Sequence, residues 1–217
     1  MNPSLIIANW KSNKILSEAK DWLIKFNPNY NPVSKTIIIC PSFTLLAEVK
    51  ADLESRKLTI ELGGQNISQF ENGEYTGEVN AAQIKDFANY VLVGHSERRK
   101  NFEETNQILD QKVILAKKYG LTPIFCIQGK DTYIPKEVEI VAYEPIFAIG
   151  TGNPDTPENA NEVGKAMKDN GYKKFLYGGS VNSQNAASFI SMPNINGVLV
   201  GRASLDPLEF SKIIELA

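Results

Sequence analysis

Short apolar runs recur at intervals along the whole chain. Eight are found, at residues 5–8, 36–39, 58–62, 90–93, 122–127, 138–143, 174–177 and 197–200. Most are apolar at nearly every position instead of alternating with polar residues, which is typical of parallel strands that are covered on both faces. The pattern therefore predicts eight buried parallel strands.

Helical patterns lie between most of these runs. After the first run, apolar residues at i, i+3, i+4 and i+7 predict a helix with Ser17 as its N-cap, and Pro28 bars its continuation. An apolar stripe with helical spacing stops at Gly120, which indicates the end of a helix there. Capping preferences indicate further helix starts. These starts are Asn80 with Gln83, Thr156 before Pro157, and Asp206 before Pro207 with Glu209 completing a capping box; a helical stretch is also expected at 183–190.

The alternation of strand and helix points to one fold. It repeats eight times without a linker or a low-complexity stretch, which favours one closed (β/α)₈ barrel in a single domain over residues 1–217. An open doubly wound sheet is the alternative. Such a sheet typically carries a glycine-rich turn after its first strand, and residues 9–15 contain no glycine.

One crossover of the predicted barrel is short. Only residues 128–137 separate the fifth run from the sixth, whereas a parallel crossover normally needs about a dozen residues or more. Gly129, Pro135 and the run 131–133 also oppose a helix there. The sequence predicts that this helix is absent or reduced to a single turn, which leaves seven full outer helices. Neighbouring helices or a partner chain would then cover the fifth and sixth strands.

Composition narrows the classes of protein. Apolar residues make up 42% of the chain and charged residues 22%, an ordinary globular mixture that excludes a disordered or fibrous chain. The formal net charge of −2 lacks the basic excess of a nucleic-acid or membrane-surface binder but is compatible with a small anionic ligand. Because no signal peptide, membrane-spanning segment or disulfide between Cys40 and Cys126 is expected, the predicted location is the cytoplasm.

Candidate chemistry follows the first and fourth runs, because barrels of this kind carry their active sites on the loops after the strands. Lys11 is either solvated or places an ammonium group over an anionic substrate. His95, the one histidine of the sequence, is either a half-buried structural side chain or a catalytic imidazole. The flanking Gly94 and the polar run at a strand end favour catalysis, whereas Glu97 and the two arginines after it are expected to form an ion-pair cluster.

Later strand ends add a carboxylate and glycine-rich segments. Glu144 directly continues the sixth run, where loss of water would raise its pKa and suit it to general-base catalysis; the alternative is a solvated loop residue. Residues 146–152, mostly apolar with glycines at the end, indicate either a lid over a site or a loop that stays packed down. Segments 178–180 and 201–202 lie where such barrels usually bind phosphate through backbone N–H groups.

Seven stretches of the chain together resemble the triosephosphate isomerase family. They occur in order over essentially the whole chain, which makes them far more specific than any one motif. The stretches are ANWKSN (8–13), QN (65–66), YTGEV (75–79), VGHSERR (93–99), AYEPIFAIGTG (142–152), YGGSV (177–181) and GVLVGRASL (197–205). The resemblance implies a TIM barrel that interconverts dihydroxyacetone phosphate and D-glyceraldehyde 3-phosphate, in glycolysis and gluconeogenesis, as a homodimer without metal or cofactor.

The family's catalytic residues carry over onto matching positions. The resemblance implies that Glu144 is the base that removes the proton alpha to the carbonyl, and that His95, in its neutral form, polarises the carbonyl oxygen. Lys11 and Asn9 would stabilise the developing enediolate, with Lys11 also facing the phosphate. Backbone N–H groups at the start of the helix after His95 are expected to keep the pKa of this histidine low.

The resemblance also implies binding and supporting residues. Glu97 matches a supporting residue near Lys11, and Thr76 in the segment 69–79 matches a residue that reaches the partner subunit's site. Backbone groups of four residues match the phosphate-binding positions; these are Gly150, Ser180, Gly201 and Arg202.

The chain departs from the family's pattern at a few positions. Arg202 stands where a second glycine is usual, and a left-handed backbone there would be strained for arginine. Phe147 stands where the lid usually carries tryptophan, and Gln128-Gly129 replaces Gly-Glu. A non-catalytic sugar-phosphate-binding barrel is the alternative function; it could lack the base that Glu144 supplies. An aldolase is disfavoured, because it would need a Schiff-base lysine on an interior strand. Nothing in the sequence indicates a scaffolding role.

Overall fold

Eight parallel strands form a closed barrel, in which each strand is hydrogen-bonded to the next in sequence order and the last pairs with the first. The computed structural model describes residues 4–27 and 32–217. The strands are β1 Ser4–Asn9, β2 Lys35–Cys40, β3 Glu61–Gly64, β4 Tyr90–Val93, β5 Thr122–Ile127, β6 Ile140–Tyr143, β7 Lys174–Tyr177 and β8 Gly197–Val200. The predicted (β/α)₈ barrel is confirmed, and the open doubly wound sheet is excluded.

Helices connect the strands around the outside of the barrel. The α-helices are α1 Leu16–Lys25, α2 Leu46–Ser55, α3 Ala81–Lys85, α4 Ser96–Asn101, α5 Asn106–Lys118, α6 Pro157–Asp169, α7 Ala186–Ile190 and α8 Pro207–Leu216. Short 3₁₀ helices lie at Phe43–Leu45, Ile146–Ala148 and Arg202–Leu205. Within the described ranges, no helix is long and apolar enough to cross a membrane.

Apolar side chains of every strand except β3 divide between two layers. In β1, Leu5 and Ile7 pack inside the barrel, whereas Ile6 and Ala8 pack in the larger layer between the sheet and the helices. All four are buried, because both faces of a parallel sheet are covered. This double burial is the physical reason that the strands appear in the sequence as nearly continuous apolar runs.

The third strand lies further along the chain than predicted. The apolar run 58–62 indicated its place, but Leu58 and Ile60 pack against the outer layer before the strand, and β3 itself ends in two glycines. A β-carbon at Gly63 would lie 2.6 Å from Cys40 Sγ, so the strand needs a residue without a side chain at this position. The apolar pattern could not indicate a strand of this composition.

Most of the predicted helix starts are confirmed. Ser17 is an exception, because it lies inside α1, whose N-cap is Ile15; the Glu18 carboxylate accepts a hydrogen bond from the Ile15 N–H at 2.9 Å. Pro28 lies outside the described residues. The confirmed features are the capping box of Asn80 and Gln83, the Thr156 and Asp206 N-caps before their prolines, and the end of α5 before Gly120.

Three helix predictions are wrong in part. Glu209 does not complete a box with Asp206, since its carboxylate accepts hydrogen bonds from the backbone N–H and the hydroxyl of Ser183, at 2.8 and 3.0 Å. The stretch 183–190 is helical only over α7, which has 5 residues. Because α3 also has only 5 residues, the seven outer helices that were predicted are not all full helices.

The crossover from β5 to β6 contains no α-helix, as predicted: residues 128–137 form turns. Thr132 Oγ1 closes the first turn by accepting hydrogen bonds from the backbone N–H groups of Gln128 and Gly129, at 3.1 and 3.0 Å. The Tyr133 hydroxyl bonds the Asp110 carboxylate of α5, and the side chain of Ile134 packs on the outer layer. The crossover thus contributes its own cover to the strands that the missing helix would have protected.

Candidate active site

The carboxyl ends of the strands surround a cavity of about 510 Å³. Of the predicted site residues, Thr76 alone does not line it and lies in an exposed segment. The others come together around the cavity; they are Asn9, Lys11, His95, Glu97, Glu144, Gly150, Ser180, Gly201 and Arg202. The cavity therefore combines one carboxylate of a strand end, the single imidazole and an ammonium group within one enclosure.

Lys11 reaches the cavity from a strained turn after β1. Its φ of +53° lies in the left-handed region, which costs a residue with a side chain about 1–3 kcal/mol. The Gln65 amide stabilises the turn by donating to the Lys11 carbonyl at 2.8 Å, and the Lys11 N–H donates to Asn9 Oδ1 at 3.1 Å. Lys11 Nζ lies 2.6 Å from Glu97 Oε1. Backbone strain and a carboxylate together determine where this ammonium group lies.

His95 is the N-cap of α4, and the start of this helix selects its tautomer. The Glu97 backbone N–H donates to His95 Nδ1 at 3.2 Å. Nδ1 must keep a lone pair for this bond, so the proton of the neutral ring sits on Nε2. Nε2 lies 2.9 Å from Glu144 Oε1. The imidazole thus presents a donor at Nε2 to the carboxylate that the sequence indicated as a base.

Glu144 is buried at the end of β6. In addition to its contact with the His95 ring, its Oε2 accepts a hydrogen bond from the Ser96 backbone N–H at 3.3 Å. Burial, together with the nearby Glu144 carboxylate, raises the pKa of the Cys126 thiol, which keeps this thiol protonated. The carboxylate is therefore held against the imidazole and the start of α4.

The pKa values of the two catalytic candidates differ from the sequence prediction. Burial raises the pKa of Glu144, but His95, the Ser96 N–H and Lys11 lower it by more, so it lies below its ordinary value instead of above it. Burial lowers the pKa of His95, but Glu144 raises it by more, so it lies above its ordinary value. The expected lowering of the His95 pKa is wrong, because the prediction left out the direct contact with Glu144.

Removing the Glu144 carboxylate is expected to lower the pKa of His95. In Glu144→Gln the remaining influences are burial and Lys11, which lower this pKa, and the more exposed Glu97, which raises it. NMR titration of the single histidine measures the change directly. A His95 pKa that is equal or higher in Glu144→Gln than in the wild type would contradict this account of the pair.

The loops after β7 and β8 form the opposite wall of the cavity. Ser180 has a left-handed φ of +49°, and its hydroxyl donates to the Ala148 carbonyl at 2.6 Å and accepts from the Gly152 N–H at 3.2 Å. After β8, a 3₁₀ helix begins directly behind Gly201, so its first N–H groups have no partner within the helix. A β-carbon at Gly201 would lie 3.9 Å from Lys11 Nζ, so glycine leaves this space open. Free N–H groups beside an ammonium group suit an anion.

The strain expected at Arg202 is absent. The chain enters the 3₁₀ helix through Gly201, whose φ is −89°, and Arg202 is not among the residues with positive φ. The Arg202 side chain is exposed at the rim of the cavity. Arginine is therefore accommodated here at no backbone cost, because the helical turn does not need a left-handed residue.

Three polar residues of the site were not recognised from the sequence. Gln65 donates hydrogen bonds to the Lys11 and Cys40 carbonyls, at 2.8 and 2.9 Å, and Asn13 and Asn182 line the cavity. Gln65 could have been found, since it follows β3 at the edge of the barrel where the other strand ends carry the site. The two asparagines lie within or directly after stretches of the family pattern, but nothing in their residue type marks them as cavity residues.

A (β/α)₈ barrel whose strand ends gather a buried carboxylate, an imidazole and an ammonium group around one cavity is an enzyme scaffold of the acid–base class. Comparison with known proteins gives the family. The family model described as triosephosphate isomerase matches residues 4–217. The chain therefore belongs to the triosephosphate isomerase family.

Relatives named triosephosphate isomerase cover nearly the whole chain. That of Mesomycoplasma hyopneumoniae is 38% identical over 239 positions, with 97% of this chain and 98% of the relative covered. Those of Aquifex aeolicus and Dictyoglomus thermophilum are 38% and 37% identical, with 97% and 99% of this chain and 98% and 100% of the relatives covered. The aligned lengths exceed the 217 residues of this chain, so the relatives contain residues without a counterpart here, in agreement with its short crossovers.

Proposed function

We propose that this chain, as one barrel domain over residues 1–217, interconverts dihydroxyacetone phosphate and D-glyceraldehyde 3-phosphate, a step of glycolysis and gluconeogenesis. The observation that carries the proposal is the meeting of Glu144, His95 and Lys11 in one cavity of a chain that belongs to this family. Glu144 removes a proton from the carbon next to the carbonyl and returns it to the former carbonyl carbon. In the same conversion a proton passes from the hydroxyl oxygen of the first carbon to the former carbonyl oxygen, so that the ketone becomes an aldehyde. The reaction moves protons only and needs no electron carrier.

The other two groups stabilise the charge that develops on the carbonyl oxygen. His95 donates from Nε2, the nitrogen that the Glu97 N–H leaves protonated, and Lys11 supplies a positive charge. Such preorganised donors lower the barrier by several kcal/mol, because they favour the enediolate over the ketone. For Glu144 to reach the substrate, it has to leave its contact with His95. That departure removes the influence that raises the His95 pKa and favours a neutral imidazole in the complex.

An assay coupled to the oxidation of D-glyceraldehyde 3-phosphate tests the proposal, with dihydroxyacetone phosphate as the substrate. We expect turnover that falls by about 10²–10⁴-fold in Glu144→Gln and is retained in the absence of added metal. A chain that binds the substrate, measured by calorimetry, but does not convert it would instead support the non-catalytic sugar-phosphate-binding barrel.

The phosphate is proposed to bind at Lys11 and at backbone N–H groups on the opposite wall, those of Gly150, Ser180, Gly201 and Arg202. Because these are backbone donors, Arg202→Gly should change KM by less than about threefold, roughly 0.7 kcal/mol. Steady-state kinetics with both triose phosphates measures the effect. A tenfold rise in KM would show that the guanidinium group itself binds the phosphate.

We also propose a homodimer in the cytoplasm. The exposed segment that carries Thr76 also carries the stacked rings of Phe70 and Tyr75, 4.0 Å apart, an apolar surface for a second copy of the chain. The two buried free thiols of Cys40 and Cys126 suit a reducing compartment. As a partner residue for the neighbouring site, Thr76 would make activity depend on assembly.

Tyr75→Lys is expected to raise the fraction of monomer and to lower activity on dilution. A charge in an apolar interface is left without a partner, whereas the same charge on a free surface is solvated. Tyr133→Lys is the matched control, since both tyrosines are 44% exposed and Tyr133 lies on the β5–β6 crossover. Light scattering gives the mass of each variant. Equal masses for Tyr75→Lys and the wild type at low concentration would contradict the proposed interface.

A further inference from the structure

The carboxyl end of the β6–α6 loop (residues 144–156) is built differently from its middle. Residues 150–154 are exposed, and so are two apolar side chains before them, Ile146 at 71% and Phe147 at 60%. Asp155 is 9% exposed although it carries a carboxylate. A buried carboxylate at the end of an exposed loop needs a physical reason, because such a group is costly to bury unless it is hydrogen-bonded.

Asp155 is hydrogen-bonded to three structural elements. Its Oδ2 accepts from the Tyr143 hydroxyl of β6 at 3.2 Å and from Asn159 Nδ2 of α6 at 2.6 Å, and its Oδ1 accepts from the Thr156 N–H at 2.8 Å. Its own backbone N–H donates to the Tyr177 hydroxyl of β7 at 2.7 Å. One residue thus joins the end of the loop to two strands of the barrel and to the helix that follows.

The middle of the loop has a much weaker attachment. Its direct bonds to the barrel go to one side chain, Ser180, whose hydroxyl contacts the Ala148 carbonyl and the Gly152 N–H. Gly150 and Gly152 have φ of +70° and +83°, conformations that glycine adopts without cost. The loop therefore has a firmly bonded end at Asp155, and the position of its middle depends on that end and on Ser180.

The bonded end is also connected to the carboxylate of the site. Tyr143, whose hydroxyl donates to Asp155, directly precedes Glu144 in the chain. Burial, with the Asp155 carboxylate adding to it, raises the pKa of Tyr143 to about 12, so its hydroxyl remains a donor throughout the physiological range. Tyr143, whose side chain holds the end of the loop, is thus the residue directly before the proposed base Glu144.

We propose that Asp155 is a positioning residue that holds the end of the β6–α6 loop through the Tyr143 hydroxyl and thereby keeps the cavity-lining residues Ile149, Gly150 and Gly152 closed over the site. The proposal rests on the proposed function. A closed loop excludes water from the enediolate and prevents its phosphate from leaving, which is the side reaction of this intermediate. With the end of the loop released, the intermediate loses phosphate more often before it is reprotonated. A purely structural role would confine Asp155 to supporting the start of α6.

Asp155→Asn and Thr156→Val separate these two roles. The asparagine amide keeps the shape of the side chain but has a single acceptor oxygen for three donors. Thr156→Val removes the N-cap oxygen that accepts from the Asn159 N–H at 3.2 Å, and it leaves the Asp155 carboxylate in place. Both variants weaken the start of α6, and only the first changes the acceptor of Tyr143. Tyr143→Phe removes the donor of the same bond.

Two quantities are measured in each variant: the fraction of turnover that releases inorganic phosphate, and the amide hydrogen exchange of residues 148–154. We expect Asp155→Asn and Tyr143→Phe each to raise the phosphate fraction about fivefold or more and to speed exchange, and the double variant to add little. Thr156→Val should lower the melting temperature and leave both quantities within about twofold of the wild type. If Asp155→Asn matches Thr156→Val in both readouts, the proposal is wrong. Exchange needs no turnover, so a chain without isomerase activity would overturn the proposed function and still test Asp155.

Discussion

Glu144→Gln is expected to lower kcat by about 10²–10⁴-fold, the usual cost of losing a general base. Glutamine has the same shape as glutamate and can still accept a hydrogen bond from His95 Nε2 through its one amide oxygen, but it loses the bond that the second carboxylate oxygen accepts from the Ser96 N–H. It cannot take up a proton, so the barrel is preserved while the proton transfer is lost. The same coupled assay that tests the function measures the effect, and thermal unfolding confirms that the variant is folded.

Glu158→Gln is the matched control for this experiment. Glu158 is an exposed residue in the first turn of α6, and its replacement should leave kcat within about twofold of the wild type. Activity of Glu144→Gln within threefold of the wild type would exclude Glu144 as the base. The histidine titration adds an independent readout, because a lowered His95 pKa shows that the carboxylate is gone from the site.

The barrel was predictable because burial on both faces of a parallel sheet leaves a strong signal. Runs such as 122–127 and 174–177 are apolar at every position after the first, and they coincide with β5 and β7. The missing helix between β5 and β6 was predictable from chain length and from glycine and proline, which act locally. Features that depend only on nearby residues are the ones that a single sequence reports well.

Features that depend on contacts between distant segments were not predictable. β3 is displaced because Gly63 must fit against Cys40 of the neighbouring strand, and no local pattern expresses that requirement. Glu209 appeared to be a capping residue of its own helix but bonds Ser183 near the previous one. In both cases a tertiary contact overrides the local preference.

The residues of the site were predicted from their positions along the chain, but their pKa values were not. The strand ends and the family stretches indicated His95 and Glu144, but their pKa values depend on a contact of 2.9 Å that only the fold brings about. The same is true of the strained turn at Lys11 and of the bonds of Asp155, which had no signal in the sequence. Residue types indicate which chemistry is available, whereas distances determine the charge states.

Lys11→Met is expected to lower kcat/KM by about 10²–10³-fold, the usual loss when one group that stabilises developing negative charge is removed. Methionine keeps most of the length and volume of the side chain and removes the ammonium group. Because the ammonium group is proposed to face both the enediolate and the phosphate, we expect kcat to fall and KM to rise together. Steady-state kinetics in both directions measures the two effects.

Two further variants separate the charge of Lys11 from its surroundings. Lys57→Met places methionine at another left-handed lysine, with φ of +56°, far from the cavity, so it measures the backbone effect alone and should leave kcat/KM unchanged. Glu97 loses its partner at 2.6 Å in Lys11→Met, and its unpaired charge repels the phosphate. Lys11→Met/Glu97→Gln should therefore recover part of the rise in KM but not the fall in kcat. A kcat in Lys11→Met within about threefold of the wild type would show that the ammonium group does not stabilise the transition state.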